Sequence, residues 1–135
     1  MRYLALAADY DGTLAKDGRV APTTVDALEQ VAASGRRLVL VTGRELPQLL
    51  EIFPEIGLFD RVVAENGALL YRPDAHETEV LAPPPPESLL LELQWRGVSP
   101  LSVGKCVVAT VRPHESTGGE AQSACAQPRH VHGDR

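Results

Sequence analysis

The sequence predicts an α/β fold, a parallel sheet with helices on both faces, on three observations. Short apolar runs at Tyr3–Ala8 and Leu38–Val41 and a third strand pattern at Arg61–Ala64 recur along the first half of the chain, each followed by a polar cluster that contains glycine. Segments with apolar residues at helical spacing lie between them. Strand, helix and strand within about forty residues make a βαβ unit, whose strands run parallel and whose crossover is right-handed. The polar clusters then share the edge at the carboxyl ends of the strands, where open α/β sheets bind ligands.

The first run is wholly apolar and bounded by polar residues, as in a strand buried on both faces of a parallel sheet. A buried helical segment gives the same pattern. The abrupt end at Asp9-Tyr10-Asp11-Gly12 favours the strand, because glycine readily adopts the backbone angles of a tight turn. Side chains two apart on a strand point to one side, so Asp9 and Asp11 project together if the extended conformation lasts to Asp11. Adjacent carboxylates repel unless a cation joins them. A hard divalent ion such as Mg²⁺, held by oxygens, meets that need and leaves one carboxylate able to attack an electrophile. Taken alone, the stretch also reads as a solvated turn after a core strand.

Composition narrows the class. At 135 residues the chain is long enough for one domain with a real core. Aromatics are only 4% of residues, so Leu, Val and Ala must build that core. The net charge of −5 comes without a basic stripe, which argues against nucleic acid as a partner. Cys106 and Cys125 form no disulfide framework, as expected of a cytoplasmic protein. No apolar run approaches the ~20 residues that span a bilayer, and the N-terminus has no signal-peptide pattern, so no membrane partner is expected.

Taken in order, Gly12 to Val20 is a polar excursion with a turn at Gly18, short enough to form a hairpin-like flap beside the Asp pair. Helix one starts at Pro22-Thr23, with Thr23 as cap and Asp26 as capping acid, carries Val25, Leu28, Val31 and Ala32 on one stripe, and stops at Ser34-Gly35. The second strand, Leu38–Val41, ends at Thr42-Gly43-Arg44. Thr42 offers a hydroxyl, Gly43 lets a ligand approach the backbone, and a helix opening at residues 45–47 would aim free N–H groups at an anion. Arg44 adds a planar cationic fork. Helix two is expected over Pro47–Ile56 with Leu46, Leu49, Leu50 and Phe53 on its buried side. Strand three spans Arg61–Ala64, and Asn66-Gly67 followed by Ala68–Tyr71 reads as a tight hairpin.

The quoted residues resemble the haloacid dehalogenase-like (HAD) phosphohydrolases, in the Cof-type branch. Asp9-Tyr10-Asp11-Gly12-Thr13-Leu14 matches the first family motif, Leu40-Val41-Thr42-Gly43-Arg44 the second, and Val63–Ala68 the third-strand segment of that branch. The resemblance implies a partial Rossmann-like sheet, the start of a cap that selects substrates, and Mg²⁺-dependent phosphoryl transfer. It makes Asp9 the nucleophile and Asp11 the general acid and base. Mg²⁺ would be held by a carboxylate oxygen of Asp9 and the backbone carbonyl of Asp11. Thr42 and the Gly43 N–H would hold phosphoryl oxygens of a small phosphorylated substrate, a sugar phosphate or similar. Arg44 reads either as a phosphate ligand or as an outward salt-bridging residue, and Asn66 either as a substrate contact or as a turn residue.

The resemblance covers residues 1–72. Residues 73–86, ending in Pro83–Pro86, read as a linker; 87–115 as a partial cap, with a helix bearing Leu89, Leu90, Leu93 and Trp95 and a strand around Cys106–Arg112 whose inward residues are Val107, Ala109 and Val111; and 116–135 as a disordered tail. The family also needs a late Lys or Arg and a late acidic cluster. Lys16 and Lys105 both fall before that position, so the chain reads as truncated and its activity as impaired. The alternatives are a non-catalytic fragment that binds Mg²⁺, phosphate or a partner, and a receiver-like module phosphorylated at a strand-end aspartate.

Overall fold

A computed structural model describes residues 2–110, and the expectations for Val111, the tail and Cys125 lie outside them. The described chain divides into two compact units, with the boundary between Leu81 and Ala82.

The first unit is built on a five-stranded sheet of order β1-β4-β5-β6-β7. Strands β1 (Ala5–Asp9), β4 (Arg37–Val41) and β5 (Arg61–Ala64) run parallel, with Asp9 opposite Val41 and Val41 opposite Val63. The antiparallel strands β6 (Leu69–Arg72) and β7 (Glu77–Val80) extend the sheet beyond β5. The expected parallel core is present, within a mixed sheet.

Helix α1 (Pro22–Ala33) and helix α2 (Leu46–Ile52), the latter followed by a 3₁₀ turn at Pro54–Leu58, pack on one face of this sheet. Leu28 of α1 and Leu46 and Leu49 of α2 share a core with Leu38, Leu40, Val62, Ala64, Leu69 and Tyr71. Residues of equal parity on paired strands face one side, so these strand residues form a single covered face. Helices were expected on both faces; in this unit both helices share one. The opposite face carries Arg37, Val39, Val41, Arg61 and Val63, none of them fully buried.

Several local expectations need correction. Strand β1 is an edge strand that is exposed along most of its length, with Leu6 41% accessible, rather than a strand buried on both faces. Helix α1 is capped by Ala21 without a side-chain bond, and Pro22 takes the first helical position, where its missing N–H costs nothing; Thr23 is therefore not the cap. Helix α2 is shorter than expected because Pro54 ends it, and Leu50 is exposed. Residues 77–80, expected in the linker, form β7. Its Glu77-Thr78-Glu79 sequence lacks apolar periodicity because the strand is exposed throughout and is held by its backbone ladder to β6.

The second unit contains helix α3 (Glu87–Trp95) and a hairpin of β8 (Leu101–Val103) with β9 (Val108–Thr110). Leu93, Val98 and Val108 form its small core, packed by Leu89, Leu90 and Leu101. Trp95, expected on the packed face, is 86% exposed: it is the last helical residue, where the stripe runs out. Val107 is buried as expected, whereas Val108 takes the inward place given to Ala109, which is only half-buried.

Candidate active site

The site lies at the carboxyl ends of β1, β4 and β5, where the backbones stay paired to the last residue. The Tyr10 N–H donates to the Val41 carbonyl at 3.1 Å, and the Thr42 N–H to the Val63 carbonyl at 2.8 Å. Tyr10 is fully buried and packs on Phe53 at 5.6 Å between ring centres, while Asp9 and Asp11 on either side of it are exposed. That alternation turns both carboxylates to the side opposite the tyrosine. Asp9 Oδ1 accepts the Tyr10 N–H at 2.9 Å, which fixes its rotation.

A flap follows immediately. Strands β2 (Ala15–Lys16) and β3 (Arg19–Val20) pair antiparallel around Asp17-Gly18, both with positive φ as a two-residue hairpin turn requires. The Tyr10 hydroxyl donates to the Gly18 carbonyl at 2.9 Å and ties the flap to the core. A cavity of about 620 Å³, lined by residues between Asp11 and Thr24, opens beside it, within the range of small-ligand sites.

The second cluster reaches the first through an ion pair. Arg44 donates from Nε to Asp11 Oδ2 at 2.7 Å and from Nη2 to Asp11 Oδ1 at 2.8 Å, while its guanidinium lies 5.7 Å from the centre of the Tyr10 ring. This salt bridge joins Arg44 to Asp11 at the same edge and does not turn it outward. The bidentate bond from Arg44 holds the Asp11 carboxyl below the usual carboxylate range, against the opposing effect of partial burial. The same bond raises Arg44, and burial raises Tyr10 despite the nearby guanidinium. Thr42 is buried, and its Oγ1 accepts the Arg44 N–H at 3.0 Å, which shapes the turn.

The third cluster supports the second. Glu65, Asn66 and Gly67 form a short turn in which all three residues have positive φ. The Glu65 N–H donates to the Arg44 carbonyl at 3.0 Å and the Asn66 N–H to the Thr42 carbonyl at 3.3 Å. Asn66 Oδ1 lies 2.6 Å from where a side-chain carbon on Gly43 would sit, so any larger residue there would have to displace the Asn66 side chain. The hairpin loop between Ala64 and Leu69 is therefore longer than a two-residue turn. Glu65 belongs to the third-strand segment but was not expected as a site residue; it is fully buried at the strand end, and its one signal was a carboxylate closing an apolar run. Asp9, Asp11, Thr42, Gly43, Arg44 and Asn66 thus come together at one edge.

The donors available for a metal are hard oxygens, the Asp9 carboxylate and the Asp11 main-chain carbonyl. Among the described residues no group of three His, Cys, Asp or Glu converges. Mg²⁺ commonly takes one or two protein oxygens plus waters and phosphate oxygens, so the donor set fits that ion in kind. No helix among the described residues is long and apolar enough to cross a membrane.

Residues 6–88 match the family model of the haloacid dehalogenase-like hydrolases. The chain belongs to that family. A curated relative of this HAD-like hydrolase, described as the putative phosphatase YxeH of Bacillus subtilis, is 37% identical over 84 residues, covering 59% of this chain and 30% of the relative. A haloacid dehalogenase-like hydrolase from Bacteroides thetaiotaomicron superposes with a TM-score of 0.66 at 22% identity, over 81% of this chain and 44% of that one. A sugar phosphatase of HAD subclass IIB gives 0.56 at 27% identity, over 83% and 45%. The chain thus spans less than half the length of these relatives. The resemblance to the Cof-type branch holds, with partial coverage.

Proposed function

We propose that this HAD-like chain carries the nucleophile half of a Mg²⁺-dependent phosphomonoester hydrolase that works through an aspartyl-phosphate. The free oxygen of Asp9 attacks phosphorus, the bond from phosphorus to the leaving oxygen breaks, and Asp11 gives that oxygen a proton. Water then attacks the aspartyl-phosphate, Asp11 takes its proton, and cleavage of the acyl–phosphate bond returns inorganic phosphate and the Asp9 carboxylate. The Thr42 hydroxyl and the Gly43 N–H orient the phosphoryl oxygens, and Asn66 fixes the Gly43 backbone against them. Mg²⁺, held by the Asp9 carboxylate and the Asp11 carbonyl, would supply charge neutralisation.

The observation that carries the reading is the buried Tyr10 between two exposed carboxylates, one of which is tied to the turn on the adjacent parallel strand. The description of one structural relative as a sugar phosphatase supports a small phosphorylated substrate, a sugar phosphate or similar. Residues 87–115 would be part of the cap. Because Lys16 and Lys105 both precede the position at which the family resemblance calls for a late basic residue, turnover by this chain alone should be weak. The second reading, a non-catalytic fragment that binds Mg²⁺, phosphate or a partner, follows from the same missing basic residue.

Phosphate release from a panel of sugar phosphates, with and without Mg²⁺, tests the proposal. Release that depends on Mg²⁺ and disappears in Asp9→Asn is the expected result. Activity that survives Asp9→Asn removes Asp9 as nucleophile, and saturable phosphate binding with no release favours the binding reading.

A further inference from the structure

The two arms of the Arg44–Asp11 pair have incompatible duties. Asp11 needs its carboxylate at the leaving oxygen, yet both of its oxygens are held by Arg44. Arg44 is the only arginine on the three strand-end clusters, yet the Nε and Nη2 donors that form its fork are spent on Asp11. Nη2 also borders the flap, 3.6 Å from where a side-chain carbon on Gly18 would sit, and that flap is held in place by the Tyr10 hydroxyl. The guanidinium over the Tyr10 ring has a surface on which to pivot without leaving the site.

We infer that Arg44 is a latch on Asp11: its fork clamps the carboxylate until a phosphate-type oxyanion arrives, then transfers to that anion and frees Asp11. The inference rests on the proposed function for the role of Asp11, but its physical content is a competition between one carboxylate and one oxyanion for the same two N–H donors. Carboxylate and phosphate both match the planar fork, so the exchange replaces two charge-assisted hydrogen bonds with two others. Because the pair is partly exposed, with side chains 33% and 48% accessible, its strength is moderate enough for a ligand to break. Arg44 would then act as a positioning residue whose state reports whether the anion is present.

The competition can be read without turnover. Inorganic phosphate is titrated into the wild-type chain, Asp11→Asn, Arg44→Ala and the double variant, with affinity taken from calorimetry and the Arg44 Nε–H resonance followed by NMR. The latch predicts that Asp11→Asn tightens phosphate about tenfold, the size expected for loss of a partly exposed charge-assisted competitor. It also predicts that the same substitution has less than about a twofold effect once Arg44 is Ala, because the competitor then has nothing to compete for. In the wild type the Nε–H resonance should shift as phosphate saturates. An equal gain from Asp11→Asn in both backgrounds reduces the effect to general charge and overturns the latch. Weaker phosphate binding in Asp11→Asn overturns it too, since Asp11 would then be orienting Arg44 for the anion. No binding by any variant also overturns it. Circular dichroism of each variant verifies folding. Phosphate release is scored separately: coupling without release sinks the hydrolase reading and leaves the latch, whereas release without coupling sinks the latch alone.

Discussion

Asp60 offers a direct test of how the sheet that bears the site is held. The side chain accepts the Leu38 N–H on Oδ2 at 2.9 Å and Arg37 Nη1 on Oδ1 at 2.6 Å, while its own N–H donates to the Leu38 carbonyl at 2.9 Å. The ladder between β4 and β5 begins only at Val39 opposite Arg61, so Asp60 supplies the rung before it. Leu38 is fully buried, and truncation at Asp60 leaves its N–H without that acceptor. A charge-assisted hydrogen bond contributes about 1.5–3 kcal/mol. The Asp60 side chain is 29% accessible and the Arg37 partner lies on the surface, so the lower part of that range applies and the ion pair itself adds little. Asp60→Ala should therefore cost about 2 kcal/mol and Asp60→Asn, which keeps an acceptor, about 1 kcal/mol. Urea unfolding at neutral pH measures both. The pH dependence carries a sign: the Leu38 N–H, and next the Arg37 guanidinium, lower the folded-state pKa of Asp60. A depressed carboxyl contributes stability that is present above its unfolded value, about 3.9, and is lost as pH falls through the lower folded value. The gap between wild type and Asp60→Asn should then close below about pH 4. An Asp60→Ala cost under about 0.5 kcal/mol, or a gap that stays constant into strong acid, would refute the assignment.

Three further substitutions probe other parts of the chain. Gly43→Ala places a carbon 2.6 Å from Asn66 Oδ1 and should lower phosphate affinity or turnover about tenfold with little loss of stability, a defect that Asn66→Ala partly relieves; an unchanged Gly43→Ala protein contradicts the close approach. Tyr10→Phe removes the bond to the Gly18 carbonyl and should cost about 1 kcal/mol and speed amide exchange in the flap, so unaltered protection across Ala15–Val20 counts against the tie. Trp95→Ser should change stability by less than about 0.5 kcal/mol in thermal melts, because the ring is exposed; a larger loss means that it packs.

The parts of the fold legible in the sequence were those with a local signal. Leu38–Val41 and Arg61–Ala64 announced themselves because one side of each packs in the core, and Asp17-Gly18 because its turn demands positive φ. Strand β7 was illegible for the opposite reason: a strand exposed on both faces and held by backbone bonds leaves no apolar period in its side chains. Strand β1 misled because its apolar run signals a need for cover that the described residues do not provide. At the site, Asp9, Asp11, Thr42 and Gly43 could be read from strand ends in a βαβ unit. The Arg44–Asp11 pair could not, since it joins residues 33 positions apart through a choice of rotamer. Glu65 was hidden similarly, because a left-handed backbone turns a carboxylate inward where its type alone predicts exposure.

The buried ring of Tyr10 also guards against misassembly. An edge strand that pairs with one neighbour can slide along it, and a shift of a single residue exchanges its two sides. Here that slip would swing Tyr10 into water and press Asp9 and Asp11 against Leu40, Val62 and Phe53, stranding two carboxylates in an apolar cavity. The penalty for the wrong frame is thus levied by the core rather than by any ligand. The spacing of the two acids is proofread as the sheet forms, before a substrate has anything to select.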